Sequence, residues 1–226
     1  MKKAEIFEKK LNERYSFAVS LIFTGGFLNG YSFILHGGVL AAAQTSNFLQ
    51  FAYYMSERQW KRAFSHFIPI ICFCVAIFLT KYALDTFCKQ NDKIWKLWIL
   101  CVQIGIFFLI GFLHKYLSNI IVNSLIAFCT AMQYCGFRTF GTNSPYATIF
   151  CTGNMRSLMD NVYDAIIKKD KKSQENVKGY LLILGGFFLG VICCNYLSKI
   201  VGGYAIWLVC IVLGMNCVRI VWYRNR

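Results

Sequence analysis

Residues Gly37–Tyr54 read GGVLAAAQTSNFLQFAYY, and a related stretch, Tyr146–Tyr163, reads YATIFCTGNMRSLMDNVY about 107 residues later. Both stretches are mostly apolar, and each is interrupted near its middle by a hydroxyl residue, a small residue and an asparagine. The first triplet is Thr45-Ser46-Asn47 and the second is Thr152-Gly153-Asn154. The matched interruptions indicate two related halves, each with a polar break inside membrane-like sequence.

The residues that precede the two triplets support the same division. The segment Thr24–Tyr31, TGGFLNGY, aligns with Thr130–Phe137, TAMQYCGF. We therefore expect one integral membrane domain over residues 1–226, with repeat halves at about 15–113 and 120–222.

The composition indicates that the lipid bilayer is the solvent of this chain. Of its 226 residues, 57% are hydrophobic and only 15% are charged, and the mean hydropathy is +0.48. A soluble domain carries roughly 25% charged residues. Long apolar runs with few charges are typical of transmembrane helices.

The net charge of +14 has a topological explanation rather than a nucleic-acid one. The lysines and arginines lie at the ends of apolar runs and form no single basic face, so we expect no nucleic-acid partner. Cationic loops stay on the cytoplasmic side of a membrane. Residues 1–14 are predicted to be a cytoplasmic amphipathic segment, and no cleavable signal sequence is visible.

The apolar runs predict an all-α, polytopic membrane helix bundle with six strong spans and two interrupted segments. The strong spans run at about Tyr15–Leu35, Phe64–Leu84, Ile94–Leu113, Ile120–Phe137, Gly179–Ser198 and Gly203–Trp222. A turn-rich linker is expected between the fourth span and the second triplet segment.

The two triplet segments decide the topology. If both cross the membrane fully, there are eight spans and the halves are parallel repeats. If both are re-entrant or half-crossing, there are six spans and the halves are inverted. Arg156 and Asp160 make a lipid-facing crossing of the second segment costly. We therefore favour six spans and inverted repeats, with both chain termini on the cytoplasmic side of the cell membrane.

A polar break inside an apolar segment has two interpretations. Small residues let a helix unwind, and the exposed N–H and C=O groups of a broken helix form an ion or solute site near the bilayer midplane. Alternatively, Thr and Asn side chains cap helices or bond across a helix interface and bind no ligand. The matched pair of breaks makes the first interpretation as strong as the second.

The candidate binding residues are the polar side chains of the triplets and their neighbours. They are Asn29, Gln44, Thr45, Ser46, Asn47, Gln133, Thr152, Gly153, Asn154, Arg156 and Asp160. Arg156 and exposed backbone N–H groups favour a small polar or anionic solute. Arg156 and Asp160 are also expected to pair, because they stand four residues apart.

Catalysis, metals and cofactors find little support in the sequence. Ten of the eleven cysteines lie in apolar segments and lack zinc-site spacing, and the three histidines lie at span margins. Ser46 has no base that can be nominated to activate it. We expect no enzyme activity, no metal and no cofactor; the oligomeric state stays open.

The ordered motifs resemble those of the YoaK family, small bacterial membrane proteins defined by a domain of unknown function. The first-half pattern of that family is similar to Gly26–Phe33, followed by Gly37-Gly38 and Gln44–Asn47. The second-half pattern is similar to Met132–Cys135, then Arg138 and Cys151–Gly153. The resemblance covers most of the chain from about residue 15 and implies a membrane fold, with no activity attached.

Three departures from the family pattern bear on mechanism. Asn29 stands where the family has Asp, Ser46 where it has Gly, and Gln44 where it has Met. If that Asp couples transport to protons in relatives, this chain lacks the coupling or uses another group. Our leading expectation is a small transporter or channel-like permease with its polar site at the paired breaks; the alternative is a non-transporting structural or accessory membrane protein.

Overall fold

The computed structural model describes residues 15–87, 91–140 and 144–222. This part of the chain holds eight α-helices: α1 (Tyr15–Leu35), α2 (Gln44–Ser56), α3 (Trp60–Thr86), α4 (Asp92–Leu113), α5 (Asn119–Gly136), α6 (Thr152–Ile167), α7 (Lys171–Val201) and α8 (Trp207–Trp222). A two-stranded antiparallel hairpin, β1 (Thr139–Phe140) with β2 (Ser144–Pro145), lies between α5 and α6. A 3-10 helix, Gly202–Ile206, joins α7 to α8. The predicted amphipathic segment 1–14 lies outside the described residues.

Four helical stretches of the described chain are long and apolar enough to cross a membrane. They are α1, α3, α4 and the continuous stretch Lys171–Trp222, which contains α7 and α8. α5 has 18 residues, but Asn119, Asn123 and Gln133 make it more polar. The prediction of an all-α membrane helix bundle is confirmed at this level, whereas the number of six strong spans stays a prediction.

The most extensive helix packing joins α1 to α7 through glycines. A Cβ atom built on Gly26 would collide with the carbonyl oxygen of Phe187, and one on Gly190 would collide with the carbonyl oxygen of Phe23. Small residues at such positions allow the two backbones to approach closely, which is the usual basis of helix association in membranes. The two glycines therefore fix the α1–α7 pair at a short separation.

α1 and α5, which begin the two predicted halves, run antiparallel. Just beyond the end of α1, the carbonyl oxygen of His36 accepts a hydrogen bond from the side-chain amide of Asn123 (2.9 Å). Nδ1 of the His36 ring lies 3.1 Å from Oδ1 of Asn119. Both asparagines belong to the start of α5. Near the end of α5, Gln133 donates to the carbonyl oxygen of Leu21 near the start of α1 (3.0 Å). α5 packs mainly on α3, as α1 packs mainly on α7.

The triplets do not interrupt a continuous helix; they begin short helices. α2 starts at Gln44, one residue before the first triplet, and α6 starts at Thr152, the first residue of the second triplet. The residues just before both helices are non-helical. At 1.5 Å per residue, 13 and 16 residues span about 20 and 24 Å, less than the roughly 30 Å hydrocarbon core. Neither helix is long enough to cross a bilayer alone.

Candidate functional site

A cleft of about 600 Å³ lies between α1 and α7, where the segments that lead into α2 and α6 meet. Four polar side chains line it: Asn29, Thr45, Thr152 and Asn195. Most other lining residues are apolar, among them Phe33, Leu40, Ile149, Phe150, Phe187 and Val191. A concave, mainly apolar cavity with a few polar groups is the usual form of a small-molecule site.

The first residues of both triplets contribute to this one cleft. Thr45 and Thr152 are 107 positions apart in the sequence, and each lies in the first turn of its short helix. Within the described chain, neither N-cap residue, Ala43 or Cys151, supplies a side-chain hydrogen bond to that first turn. Because a helix N-terminus carries partial positive charge and free N–H donors, the two ends favour an anionic or hydrogen-bond-accepting group.

Asn29, one of the residues that line the cleft, carries a buried hydrogen-bond acceptor. Its side chain is only 4% exposed, and its amide nitrogen donates to the carbonyl oxygen of Gly25 at 3.1 Å. Its Oδ1 atom is buried and has no hydrogen-bond partner among the described residues. An unpartnered buried polar atom costs free energy, so a donor group that reached Oδ1 would be bound favourably.

The asparagine of the second triplet holds the segment before α6 in place. The amide nitrogen of Asn154 donates to the carbonyl oxygens of Ala147 (2.9 Å) and Phe150 (2.8 Å), and its Oδ1 accepts from the N–H of Ala147 (2.9 Å). The side chain is 1% exposed. Its hydrogen-bonding groups are therefore engaged with backbone, as the non-binding interpretation of the triplets requires.

Asn47, the asparagine of the first triplet, holds the segment before α2 in a similar way. Its amide nitrogen donates to the carbonyl oxygen of Leu40 (3.2 Å), seven residues earlier, as Asn154 donates to Ala147 seven residues earlier. It also donates to Oε1 of Gln44 (3.1 Å), and its Oδ1 contacts His66 (3.4 Å). Each triplet asparagine thus donates to a carbonyl oxygen seven residues earlier, in the segment before its helix.

The other predicted site residues lie away from the lining of the cleft. The side chain of Gln133 is buried against α1, where its Oε1 accepts from Thr24 (3.4 Å). Ser46 accepts from Gln50 (3.1 Å), and Gly153 is exposed. The structure therefore brings together three of the eleven predicted residues at the cleft, namely Asn29, Thr45 and Thr152.

Arg156 and Asp160 form the expected pair on α6, but the pair is long and exposed to solvent. Their side chains are 86% and 70% exposed, and Nε of Arg156 lies 3.8 Å from Oδ2 of Asp160. Such an exposed pair contributes little to stability. Neither residue lines the cleft.

Two cleft residues with an amide or thiol side chain are absent from the residues predicted from sequence. Asn195 lies in the apolar C-terminal half of α7 and is half-buried, and Cys151 lies at the start of α6. Asn195 was the only Asn in the predicted span Gly179–Ser198, which was an available signal, but it has no matched partner in the first half. Among the described residues, no group of three or more His, Cys, Asp or Glu is arranged to hold a metal ion.

Comparison with known proteins gives one match. A family model described as "Protein of unknown function (DUF1275)" matches residues 17–218. The match covers the stretch that carries the YoaK resemblance and is compatible with it. No curated protein and no solved structure gives a significant match.

Proposed function

Because the chain belongs to the DUF1275 family, whose function is unknown, we propose a function from the geometry of the cleft: a small permease that binds a small polar or anionic solute there. One observation carries the proposal. Two short helices, from equivalent positions of the two halves, begin at the same cleft with Thr45 and Thr152 in their first turns. Paired half-length helices that meet at a cavity are a recurring basis of transporter sites.

The chemistry of the cleft supports a proposal for the class of solute. The N-termini of α2 and α6 favour an anionic or accepting group, whereas the unpartnered Oδ1 of Asn29 favours a donor. The remaining walls are largely apolar. We propose a solute that carries an accepting or anionic end, a hydrogen-bond donor and a small apolar body.

An inverted-repeat topology accompanies this proposal. Six helices, α1, α3, α4, α5, α7 and α8, would cross the membrane within a single domain, and α2 and α6 would enter it partway from opposite sides. The antiparallel contacts of α1 and α5 support inverted halves, and so does the matched packing of α1 on α7 and of α5 on α3. We also propose that the chain is of the YoaK type.

The distribution of cations supports a cytoplasmic location for the end of the bundle at which α1 begins. Described cations near that end are Lys81, Lys93, Lys96, Arg138, Lys168, Lys169, Lys171, Lys172, Lys178 and Arg219. Those near the opposite end are Arg58, Lys61, Arg62, Lys115 and Lys199. By the positive-inside rule, both chain termini would be cytoplasmic and the host membrane would be the cell membrane.

A second candidate function rests on the triplet asparagines. The amides of Asn47 and Asn154 bond to nearby groups of the protein itself, which suits a packing device in a non-transporting structural or accessory membrane protein. On that proposal the cleft would be dry or filled by lipid. We propose no enzymatic activity for either case.

Solute flux through reconstituted protein separates the two candidates. Proteoliposomes that contain the full chain would be placed in isosmotic solutions of small neutral, carboxylate and hydroxy-acid solutes, and swelling would be followed by light scattering. The paired substitution Thr45→Val and Thr152→Val keeps side-chain shape and removes both hydroxyl groups from the cleft. Ser46→Ala, beside the cleft-lining residue, is the matched control.

We expect flux of a subset of the solutes with the unaltered chain and with Ser46→Ala. The paired Thr variant should lose about tenfold, the equivalent of roughly 1.4 kcal/mol of binding free energy. Folded protein that conducts none of the solutes would favour the accessory function instead. Equal flux in the paired variant and the control would remove the cleft from the transport route.

A further inference from the structure

A second cavity, of about 350 Å³, lies at the end of the bundle where α3 and α5 finish and α4 starts. Three cationic side chains line it, Lys81, Lys96 and Arg138, together with one carboxylate, Asp92. None of its lining residues also lines the cleft between α1 and α7. We call this cavity the cationic pocket.

In the part of the chain that the structure describes, the positive charges that line the cationic pocket outnumber the negative ones. Nζ of Lys96 lies 2.8 Å from Oδ2 of Asp92, and the Lys96 side chain is only 5% exposed. A buried ammonium group needs such a partner, because an uncompensated charge is strongly destabilising there. Lys81 and Arg138 are exposed and have no ion-pair partner in the described chain. Among the described lining residues, the single carboxylate therefore balances one of three cations and leaves two.

The remaining lining gives the cationic pocket an amphipathic character. Aromatic and aliphatic side chains contribute much of its surface, namely Phe17, Ile77, Leu84, Trp95, Phe137 and Tyr146. The ring of Trp95 also stacks on that of Trp98, with centroids 5.6 Å apart. Tryptophans beside cationic groups at the ends of apolar helices are typical of the membrane interface, where the phosphate groups of lipids lie.

We propose that the cationic pocket binds a phosphate-bearing anion. The guanidinium of Arg138 offers paired donors that match two phosphate oxygens, and Lys81 adds a compact second charge. Phosphate of this kind has two sources, the headgroup of an acidic phospholipid or a free phosphate ester. The apolar lining suits the first source because acyl chains would contact it. This site does not depend on the proposed transport function.

The test uses the purified full chain in a neutral detergent, with melting followed by tryptophan fluorescence. Three probes are added separately: phosphatidylglycerol, phosphatidylcholine and inorganic phosphate. The pocket variant carries Lys81→Gln and Arg138→Gln. The control variant carries Lys172→Gln and Lys178→Gln, which remove the same charge from exposed positions in the first part of α7.

Phosphatidylglycerol is expected to raise the melting temperature of the unaltered chain and the control variant by about 5 °C, and phosphatidylcholine to raise it less. The pocket variant should lose at least half of that rise. A saturable rise with inorganic phosphate alone, also lost in the pocket variant, assigns the site to a free phosphate ester. A rise with lipid only assigns it to a headgroup.

Two results would overturn the proposal. One is an equal loss of the lipid effect in the pocket and control variants, because the effect would then depend only on overall surface charge. The other is the absence of any rise with phosphatidylglycerol or inorganic phosphate in the unaltered chain. Should the double variant not fold, Lys81→Gln alone is compared with Lys178→Gln under the same criteria.

Discussion

Replacement of Asn154 by Leu tests whether the second triplet is a structural lock. The side chain makes three hydrogen bonds of 2.8–2.9 Å to backbone groups of Ala147 and Phe150. Each intramolecular hydrogen bond contributes about 1 kcal/mol net, so Asn154→Leu should lower the free energy of unfolding by about 3 kcal/mol. For a chain of this length that corresponds to a fall in melting temperature of roughly 6–12 °C.

The neighbouring Gly153 supplies the matched control. A Cβ atom there meets no other atom within 4 Å, so Gly153→Ala should leave the melting temperature nearly unchanged. Asn47→Leu should cost less than Asn154→Leu, because the contacts of Asn47 are longer: it donates at 3.1 and 3.2 Å, and its Oδ1 lies 3.4 Å from His66. The melting temperature of each variant is measured by thermal unfolding in detergent. Size-exclusion chromatography of each variant shows whether the protein is folded.

If Asn154→Leu elutes as folded protein and melts within 2 °C of Gly153→Ala, a threshold of roughly 1 kcal/mol, the hydrogen bonds from the triplet do not hold the segment before α6. The shared position of Asn47 and Asn154 would then need another explanation.

Two further predictions concern packing and charge. Gly26→Ala places a methyl group against a backbone carbonyl of α7 and should lower the free energy of unfolding by about 1–3 kcal/mol. In the same melting assay Gly185→Ala, whose methyl group meets open space, should be neutral or slightly stabilising. Equal effects of the two substitutions would contradict the close approach of α1 and α7. Asp92→Asn removes the carboxylate that pairs with the buried Lys96 and should lower the free energy of unfolding by about 2 kcal/mol. Asp160→Asn, in an exposed pair, should lower it by less than about 0.5 kcal/mol. Both values are measured by denaturant unfolding, and the reverse order would refute the stabilising role of the Asp92–Lys96 pair.

Helix positions were the most predictable feature, because apolar runs report the thickness of the hydrocarbon core. α1 has the predicted bounds, Tyr15–Leu35. α3 begins at Trp60 and α7 at Lys171, four and eight residues before the predicted spans. Polar residues can continue a helix outside the hydrocarbon core, so hydropathy marks the membrane boundary and not the helix end.

The sequence identifies the two triplets, but it does not predict that their threonines and their asparagines have different roles. Thr45 and Thr152 line the cleft, whereas Asn47 and Asn154 do not line it and instead donate to carbonyl oxygens of the protein, including those of Leu40 and Phe150. The key hydrogen bonds reach seven residues back into a non-helical segment. No helical or strand periodicity predicts such a bond, because it depends on the loop conformation.

The cationic pocket could not be predicted because its charges come from three distant elements. Lys81 belongs to α3, Lys96 to α4 and Arg138 follows α5. In the sequence each cation stands at the margin of an apolar run, where it is typical of a topological signal. Only the antiparallel arrangement of these helices brings the three side chains to one cavity.

Accessibility of Cys151 to water is the most direct test of the proposed solute site. Cys151 lines the cleft and is half-buried. It would be kept as the only cysteine of the full chain and treated with a membrane-impermeant maleimide in sealed vesicles, from each side in turn. The control keeps only Cys74, which is exposed near the middle of α3 but does not line the cleft.

We expect labelling of Cys151 from at least one side and no labelling of Cys74, because on the permease proposal water reaches the cleft whereas the outer face of α3 meets lipid. If folded protein leaves Cys151 unlabelled from both sides, the cleft is closed to water. The permease proposal would then be contradicted.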